Sequence, residues 1–128
     1  MILKSYRELV VWQRSMDLVE EVYRLLKRLP PEERYALAEQ MRRAVISIPS
    51  NIAEGYARQA PKDYARFLVI ARGSKYEIET QLSVCERLNY LTKEDTTTAF
   101  RLCDEIGKML NTILAKILSC QHGQKDIG

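Results

Sequence analysis

A proline in the middle of the chain's second apolar repeat constrains the fold more than any other residue. Apolar residues around Pro49 recur at three- and four-residue steps, the spacing of one helix face, at Leu37, Met41, Ala44, Val45, Ile48 and Ile52. A proline inside a helix removes a backbone hydrogen bond and clashes with the preceding turn, at a cost of about 3 kcal/mol. The pattern therefore predicts a second helix that is kinked at Pro49.

Polar side chains crowd the same helix. Four of them share one stripe and a fifth lies beside it: Arg43, Ser47, Ser50, Glu54 and Asn51. They either satisfy backbone groups that the proline leaves open, with Asn51 and Glu54 in capping-box spacing, or line a groove or channel for a ligand, phosphate or partner. The need of a kinked backbone for local hydrogen bonds favours the first interpretation. Gly55 is expected to close the helix in a left-handed conformation.

Helical spacing recurs in three other segments, and no strand-like alternation competes with it. The predicted helices span residues 10–29, 32–56, 61–89 and 93–118, joined by short connections. Long helices with short connections favour an all-α, antiparallel, up-and-down four-helix bundle, here one domain over residues 1–118. Residues 119–128 lose the periodicity, which predicts a flexible C-terminal tail.

Two helix starts have recognisable local signals. Pro61 suits the first turn of the third helix, and Thr92 with Asp95 resembles an N-terminal cap for the fourth. Ala60 precedes Pro61 and has no side-chain acceptor, a loss expected to cost about 1 kcal/mol.

Composition excludes several classes of protein. The 128 residues contain no apolar run near the roughly 20 residues that a membrane span needs, and residues 1–4 begin no signal peptide, so we expect a soluble cytoplasmic protein with no membrane contact. Cys85, Cys103 and Cys120 lack metal-type spacing, and the first two fall on apolar helical positions, which predicts buried reduced thiols.

The second and third helices have an additional weakly polar face opposite their apolar stripes. Its residues are small or apolar and recur at steps of three and four: Ile46, Ser50, Ala53, Ala57, Ala65, Val69, Gly73, Tyr76 and Thr80. A second apolar face on a helix is stable when it packs against a second partner, so we predict that these residues form a homo-oligomer interface. The alternative is a weakly polar face in contact with solvent.

Positive charge collects on the same two helices. Residues 42 to 75 contain two anions, Glu54 and Asp63, and seven cations: Arg42, Arg43, Arg58, Lys62, Arg66, Arg72 and Lys75. Clustered cations bind phosphates with release of counterions, so these seven are the candidate RNA or DNA contacts. Tyr56 and Tyr64 flank the turn between the helices and are candidates for base stacking. The alternative is that the arginines pair with carboxylates of the bundle and that the tyrosines pack at core edges.

Catalytic and metal-binding chemistry is poorly represented. His122 is the only histidine and falls in the predicted C-terminal tail, which argues against a Ser/His/Asp or Cys/His arrangement and excludes any multi-histidine metal site. Glu77 and Glu79 are two residues apart and so point to different helix faces. We therefore expect a protein without enzymatic activity, cofactor or metal.

Four motifs resemble one known family. They are residues 42–56, Leu9 to Gln13, Glu33-Arg34-Tyr35, and Ala71 to Ser74 followed by Glu77, Glu79, Gln81 and Leu82. Together they are similar to the four-helix bundle proteins encoded in intervening sequences of bacterial 23S rRNA genes, over residues 5 to about 91. Helix four matches by pattern alone. The family often has Ser or Thr where this chain has Ala60.

The resemblance implies a ring-like homo-oligomer, a pentamer, with no established enzymatic activity. A related branch implies a function: accessory proteins of diversity-generating retroelements, which bind a reverse transcriptase and nucleic acid. We therefore predict an oligomeric nucleic-acid-binding accessory protein that acts through a basic rim. The alternative is a scaffold that engages a reverse-transcriptase-like or other protein partner through helices one and four, without binding nucleic acid.

Overall fold

Four α-helices form the framework of the protein. The computed structural model describes residues 5–127, with side-chain surroundings for residues 5–120. The helices are α1 (Val10–Leu26), α2 (Leu37–Tyr56), α3 (Pro61–Arg87) and α4 (Lys93–Ile127), and short 3-10 helices lie at Tyr6–Glu8 and Pro31–Glu33. The described range contains no strand, so the prediction of an all-α chain is confirmed.

The apolar stripes predicted from spacing meet in one core. α1 packs against α2 and α4, and α3 packs against α2 and α4, with the most extensive contact between α2 and α3. The largest side chains that are withdrawn from solvent come from all four helices: Leu18, Leu25, Met41, Ile48, Ile52, Leu68, Ile78, Leu82, Ile106 and Leu110. Cys85 and Cys103 are buried free thiols, as predicted.

Helix ends differ from the predicted bounds where local backbone chemistry intervenes. α1 ends at Leu26 and tightens through a bond from the Arg28 amide to the Leu25 carbonyl, before Pro30. α2 begins at Leu37, later than predicted, because the backbone of Ala36 (φ −121°, ψ −102°) lies outside the helical region. α3 ends at Arg87, and Asn89 takes the left-handed conformation (φ 63°) in the connection that follows.

The fourth helix extends beyond residue 118 to Ile127, so helical backbone occupies most of the segment predicted to be a tail. Its flexibility stays a prediction. Three parts of the chain that the sequence analysis discussed lie outside the described part: residues 1–4, the side chain of His122 and residue 128.

The polar residues near Pro49 connect α2 to α3. The Asn51 side-chain amide donates to the Ser47 carbonyl oxygen (2.8 Å) and to the Ser47 hydroxyl (2.9 Å). The Ser47 hydroxyl in turn lies 2.8 Å from the Ser74 hydroxyl on α3. α2 runs without interruption through Pro49, and the kink stays a prediction. Glu54 pairs with Arg58 and Asn51 bonds Ser47. The contacts of the described residues do not include the capping-box contact between Asn51 and Glu54. The geometry supports a structural role for this set.

Candidate functional site

The turn between α2 and α3 is built on a close approach of the two helices. Gly55 is buried within the last turn of α2, and an added Cβ there would lie 2.7 Å from the Cβ of Phe67 on α3. No glycine in the described chain has a positive φ, so the predicted left-handed conformation of Gly55 is wrong. The glycine is required by packing, because a side chain at this position would separate the helices.

Phe67 also positions two of the predicted phosphate contacts. The guanidinium carbon of Arg58 lies 5.0 Å from the centre of the Phe67 ring, and that of Arg66 lies 4.7 Å from it. Both guanidinium groups have an ion-pair partner at long distance: Glu54 at 3.6 Å and Asp63 at 3.9 Å. Lys62 is exposed in the first turn of α3. These three cations, Arg58, Lys62 and Arg66, are called the turn cations below.

The two arginines near the start of α2 lie apart from the turn cations. Arg42 lies 14 residues, about 21 Å, before Tyr56, the last residue of α2, and Arg58 follows that end. Arg43 is 81% exposed and pairs with Glu39 at 3.3 Å. Arg42 is half-buried, and its Nη2 atom donates to the Arg34 carbonyl (2.9 Å) and to Glu39 (3.4 Å).

The two remaining predicted contacts face α4. Arg72 is half-buried and donates from Nη1 to the Asn111 side-chain oxygen at 3.0 Å. Lys75 is only 6% exposed, and its Nζ atom lies 3.1 Å from Glu79 and 3.9 Å from the centre of the Tyr76 ring. This burial argues against a direct phosphate contact by Lys75.

The predicted stacking residues pack against each other. The rings of Tyr56 and Tyr64 have centroids 6.1 Å apart and are inclined at 81°, an edge-to-face pair. Burial, with a smaller contribution from Tyr56, raises the pKa of the Tyr64 hydroxyl above its usual value. Tyr64 therefore behaves as a core-edge residue, the alternative considered for it from sequence.

Three of the predicted interface residues are large apolar side chains that the single chain leaves in solvent. Ile46 is 43% exposed, Val69 46% and Tyr76 55%. Ser50, Ala57, Gly73 and Thr80 are also exposed, whereas Ala53 and Ala65 are half-buried. The sequence prediction missed three further exposed apolar residues: Ile70 and Val84 of α3, and Leu88 directly after its end. Two of them, Val84 and Leu88, extend the predicted interface beyond Thr80 at steps of four residues.

An apolar groove lies between α1 and α2, next to part of this face. α2 contributes Ile46, Pro49, Ser50 and Ala53 to it, and the N-terminal part of the chain contributes Tyr6, Trp12, Met16 and Val19. The Tyr6 and Trp12 rings are 5.3 Å apart, and the Arg7 guanidinium lies within 5.5 Å of both ring centres. The groove was missed because it combines residues of separate segments.

The described residues include neither a cluster of metal ligands nor a membrane-spanning helix. No group of three or more His, Cys, Asp or Glu side chains there is arranged to hold a metal ion. None of its helices combines the length and apolar character that crossing a bilayer requires.

Residues 7–112 match the family model of the 23S rRNA-intervening sequence protein. The chain belongs to this family. A crystal structure of a protein of unknown function, from the S23 ribosomal protein family of Bacteroides thetaiotaomicron, is similar with a TM-score of 0.75 and 28% identity. The similarity covers 81% of this chain and 97% of the other. No curated protein matches the chain.

The part of the chain that matches the 23S rRNA-intervening sequence family contains every predicted site residue. The cations and the predicted interface all lie between residues 42 and 80, well inside the matched range. The end of α4 beyond residue 112 lies outside it. The match confirms the family resemblance predicted from the sequence, and the related crystal structure is that of a protein of unknown function.

Proposed function

We propose that the protein is a non-enzymatic nucleic-acid-binding accessory protein whose turn cations contact the phosphate backbone of RNA or DNA. The observation that carries the proposal is the placement of Arg58 and Arg66 over the ring of Phe67, at 5.0 and 4.7 Å. The ring holds two guanidinium groups near one another, and Lys62 lies between them in sequence. Ordered guanidinium groups lose little conformational entropy when they bind phosphate.

The ion pairs of the turn cations are weak enough to be exchanged for phosphate. The Arg58 and Arg66 contacts with Glu54 and Asp63 exceed 3.5 Å, and all four side chains are about half-exposed. Exposed pairs of this kind contribute little to stability. A polyanion that releases its counterions on binding offers a stronger partner for the same arginines.

Self-association would multiply this surface. The proposal includes an antiparallel bundle, supported by the order of contacts between α2 and α3: Met41 with Cys85, Ser47 with Ser74, and Gly55 with Phe67. It also includes a ring-like homo-oligomer, the pentamer that the family resemblance implies, joined through the exposed face of α2 and α3. A closed ring would repeat the turn cations around one rim as a basic patch and raise the local potential.

Fluorescence anisotropy tests the proposal, with a structured RNA and a duplex DNA titrated over a salt series. The variant Arg58→Gln/Lys62→Gln removes two turn cations, and Lys93→Gln/Lys116→Gln removes two exposed α4 cations as the matched control. We expect a linear fall of log affinity with log salt concentration. For duplex DNA the slope should lessen by up to about 1.8 in the turn variant, since each phosphate contact contributes about 0.9.

Two results would overturn the nucleic-acid proposal. One is the absence of binding by the correctly assembled wild-type protein at low salt. The other is an equal loss of affinity in the turn variant and in the α4 control, because a general charge effect needs no site at the turn.

A protein-interaction scaffold is the second candidate function. Exposed apolar residues of α1 and α4, namely Val10, Met16 and Leu118, favour it because apolar side chains of this size are suited to a protein interface. A reverse-transcriptase-like protein is one candidate partner, and α1 and α4 are the proposed surface for it. Such binding should respond mildly to salt, which distinguishes it from phosphate binding. Either function fits a cytoplasmic location.

A further inference from the structure

A cleft between the end of α1 and the start of α2 combines an apolar floor with a cationic rim. Its volume is about 370 Å³, within the range of about 300 to 1,000 Å³ of small-molecule sites. The floor is formed by the buried side chains of Leu26, Leu29 and Ala38. Tyr23, Pro30 and Pro31 also line the cleft and present flat apolar surfaces.

Three cations line the cleft, and no carboxylate does so among the described residues. Lys27 and Arg34 are exposed, and neither side chain has an ion-pair partner in the part of the chain that the structure describes. Arg42 is oriented by its bonds to the Arg34 carbonyl and to Glu39, both made through Nη2. Its other guanidinium nitrogens are not used in those two bonds. An anion entering the cleft would therefore meet one fixed guanidinium and two unpaired cations.

We propose that this cleft binds a nucleoside monophosphate group: a phosphate held by Lys27, Arg34 and Arg42, with a planar base against Tyr23 and the prolines. Arginine favours phosphate because its planar donors match the phosphate oxygens. Tyrosine stacks on the face of any base. The ligand is either a free nucleotide or the terminal nucleotide of a polynucleotide, which share this chemistry.

The cleft is separate from the turn cations. Its innermost residue on α2, Arg42, lies about 21 Å along the helix from Tyr56, the residue at which α2 ends and the turn with the turn cations begins. Binding at the cleft therefore does not depend on the nucleic-acid proposal, and each site can fail while the other is retained.

Titration of the isotope-labelled full-length protein, followed by amide NMR shifts, tests the inference with adenosine 5′-monophosphate, adenosine and inorganic phosphate. We expect the nucleotide to shift amides of residues 23–42 and to bind at least about tenfold more tightly than adenosine, since adenosine lacks the charged hydrogen bonds. Lys27→Gln and Arg34→Gln should each weaken nucleotide binding about tenfold. Lys116→Gln, an exposed α4 cation outside the cleft, should leave it unchanged.

A short oligonucleotide with a 5′-phosphate, compared with its 5′-hydroxyl form, distinguishes the two sources. If the phosphorylated form binds more tightly and Arg34→Gln abolishes this difference, the ligand is the terminal nucleotide of a polynucleotide. Binding of the mononucleotide without that difference supports a free nucleotide. The inference is overturned if adenosine binds as tightly as its monophosphate, if the shifts lie outside residues 23–42, or if both cleft variants keep wild-type affinity. Unchanged thermal unfolding of both variants would exclude misfolding as the cause of lost binding.

Discussion

Gly55 and Phe67 meet so closely that α2 and α3 leave no space for a methyl group between them. A Cβ at Gly55 would lie 2.7 Å from the Phe67 Cβ and 3.1 Å from the Tyr64 ring. Phe67 in turn lies beneath the guanidinium groups of Arg58 and Arg66. The packing of two helices is therefore linked to the position of two turn cations.

Gly55→Ala should lower the free energy of unfolding by about 1–3 kcal/mol, because the added methyl overpacks the α2–α3 contact. Chemical denaturation measures this effect. The control is Gly73→Ala, since a Cβ at Gly73 meets no atom within 4 Å and alanine favours a helix by up to about 1 kcal/mol. Equal effects of the two substitutions would contradict the packing role of Gly55. If Phe67 positions the turn cations, Gly55→Ala should also weaken RNA binding.

Contacts between residues close in sequence could be predicted, whereas contacts between different helices could not. Thr92 and Asp95 are three residues apart, so their reciprocal contact could be predicted, and it is confirmed: the Thr92 amide donates to Asp95 (2.8 Å) and the Asp95 amide to Thr92 (3.1 Å). Gly55 carries the same local signal as a helix-closing glycine, but its conformation is set by α3. The role that sequence assigned to Gly55 was therefore wrong.

Burial of a charged side chain depends on residues distant in sequence. Lys75 fits beneath α4 because Gly107 has no side chain: a Cβ there would lie 3.1 Å from the Lys75 Nζ atom. No pattern around residue 75 reveals this. The nucleotide cleft escaped sequence analysis for a similar reason, since Tyr23 and Arg42 belong to different helices.

Val69→Asp and Tyr76→Asp should each reduce the molar mass of the particle in light scattering, while circular dichroism shows retained helix. The physical reason is that each places a charge in the apolar face proposed to join subunits. Leu118→Asp is the matched control, since Leu118 is an exposed α4 residue outside that face. A wild-type protein that is already monomeric would contradict the interface.

Asp95→Asn should destabilise the fold at neutral pH, and the difference from wild type should disappear in acid. The Thr92 amide, followed by the Thr92 hydroxyl and Arg28, holds the pKa of the Asp95 carboxyl below its usual value. A lowered folded pKa gives stability that is present above the unfolded pKa of about 3.9 and is lost as pH falls through the folded value. Thermal unfolding at pH 7 and below pH 4 measures this. Asp104→Asn, at an exposed ion pair with Lys108, should have little effect at either pH.

Ala60→Ser should raise the free energy of unfolding by about 1 kcal/mol. Ala60 is the N-cap of α3 and makes no side-chain cap bond, while its carbonyl accepts from the amides of Asp63 and Tyr64. A serine hydroxyl can accept from the Asp63 amide in the usual capping geometry. Ala115→Ser on the exposed side of α4 is the control and should be slightly destabilising. Stabilisation by both substitutions would contradict a capping effect.

The two buried thiols should make the fold sensitive to alkali. Burial foremost, with nearby Glu33 and Glu86, raises the pKa of Cys85 to about 11. Burial foremost, supported by Glu79 and opposed by Lys75, raises the pKa of Cys103 to about 12. The thiols therefore stay protonated in the folded protein where they ionise in the unfolded chain. Stability is complete below the unfolded pKa of about 8.5 and falls as pH rises from there towards 11 and 12.

Denaturation at pH 8, 9 and 10 measures this loss, which should approach about 1.4 kcal/mol per pH unit for each thiol. Cys103→Ala isolates one contribution: the variant starts less stable because of the cavity, but its stability should decline less steeply with pH. A slope equal to that of wild type would contradict the raised pKa of Cys103. Thiol labelling at pH 8 gives an independent check, because exposed Cys120 should react at once while Cys85 and Cys103 react only on unfolding.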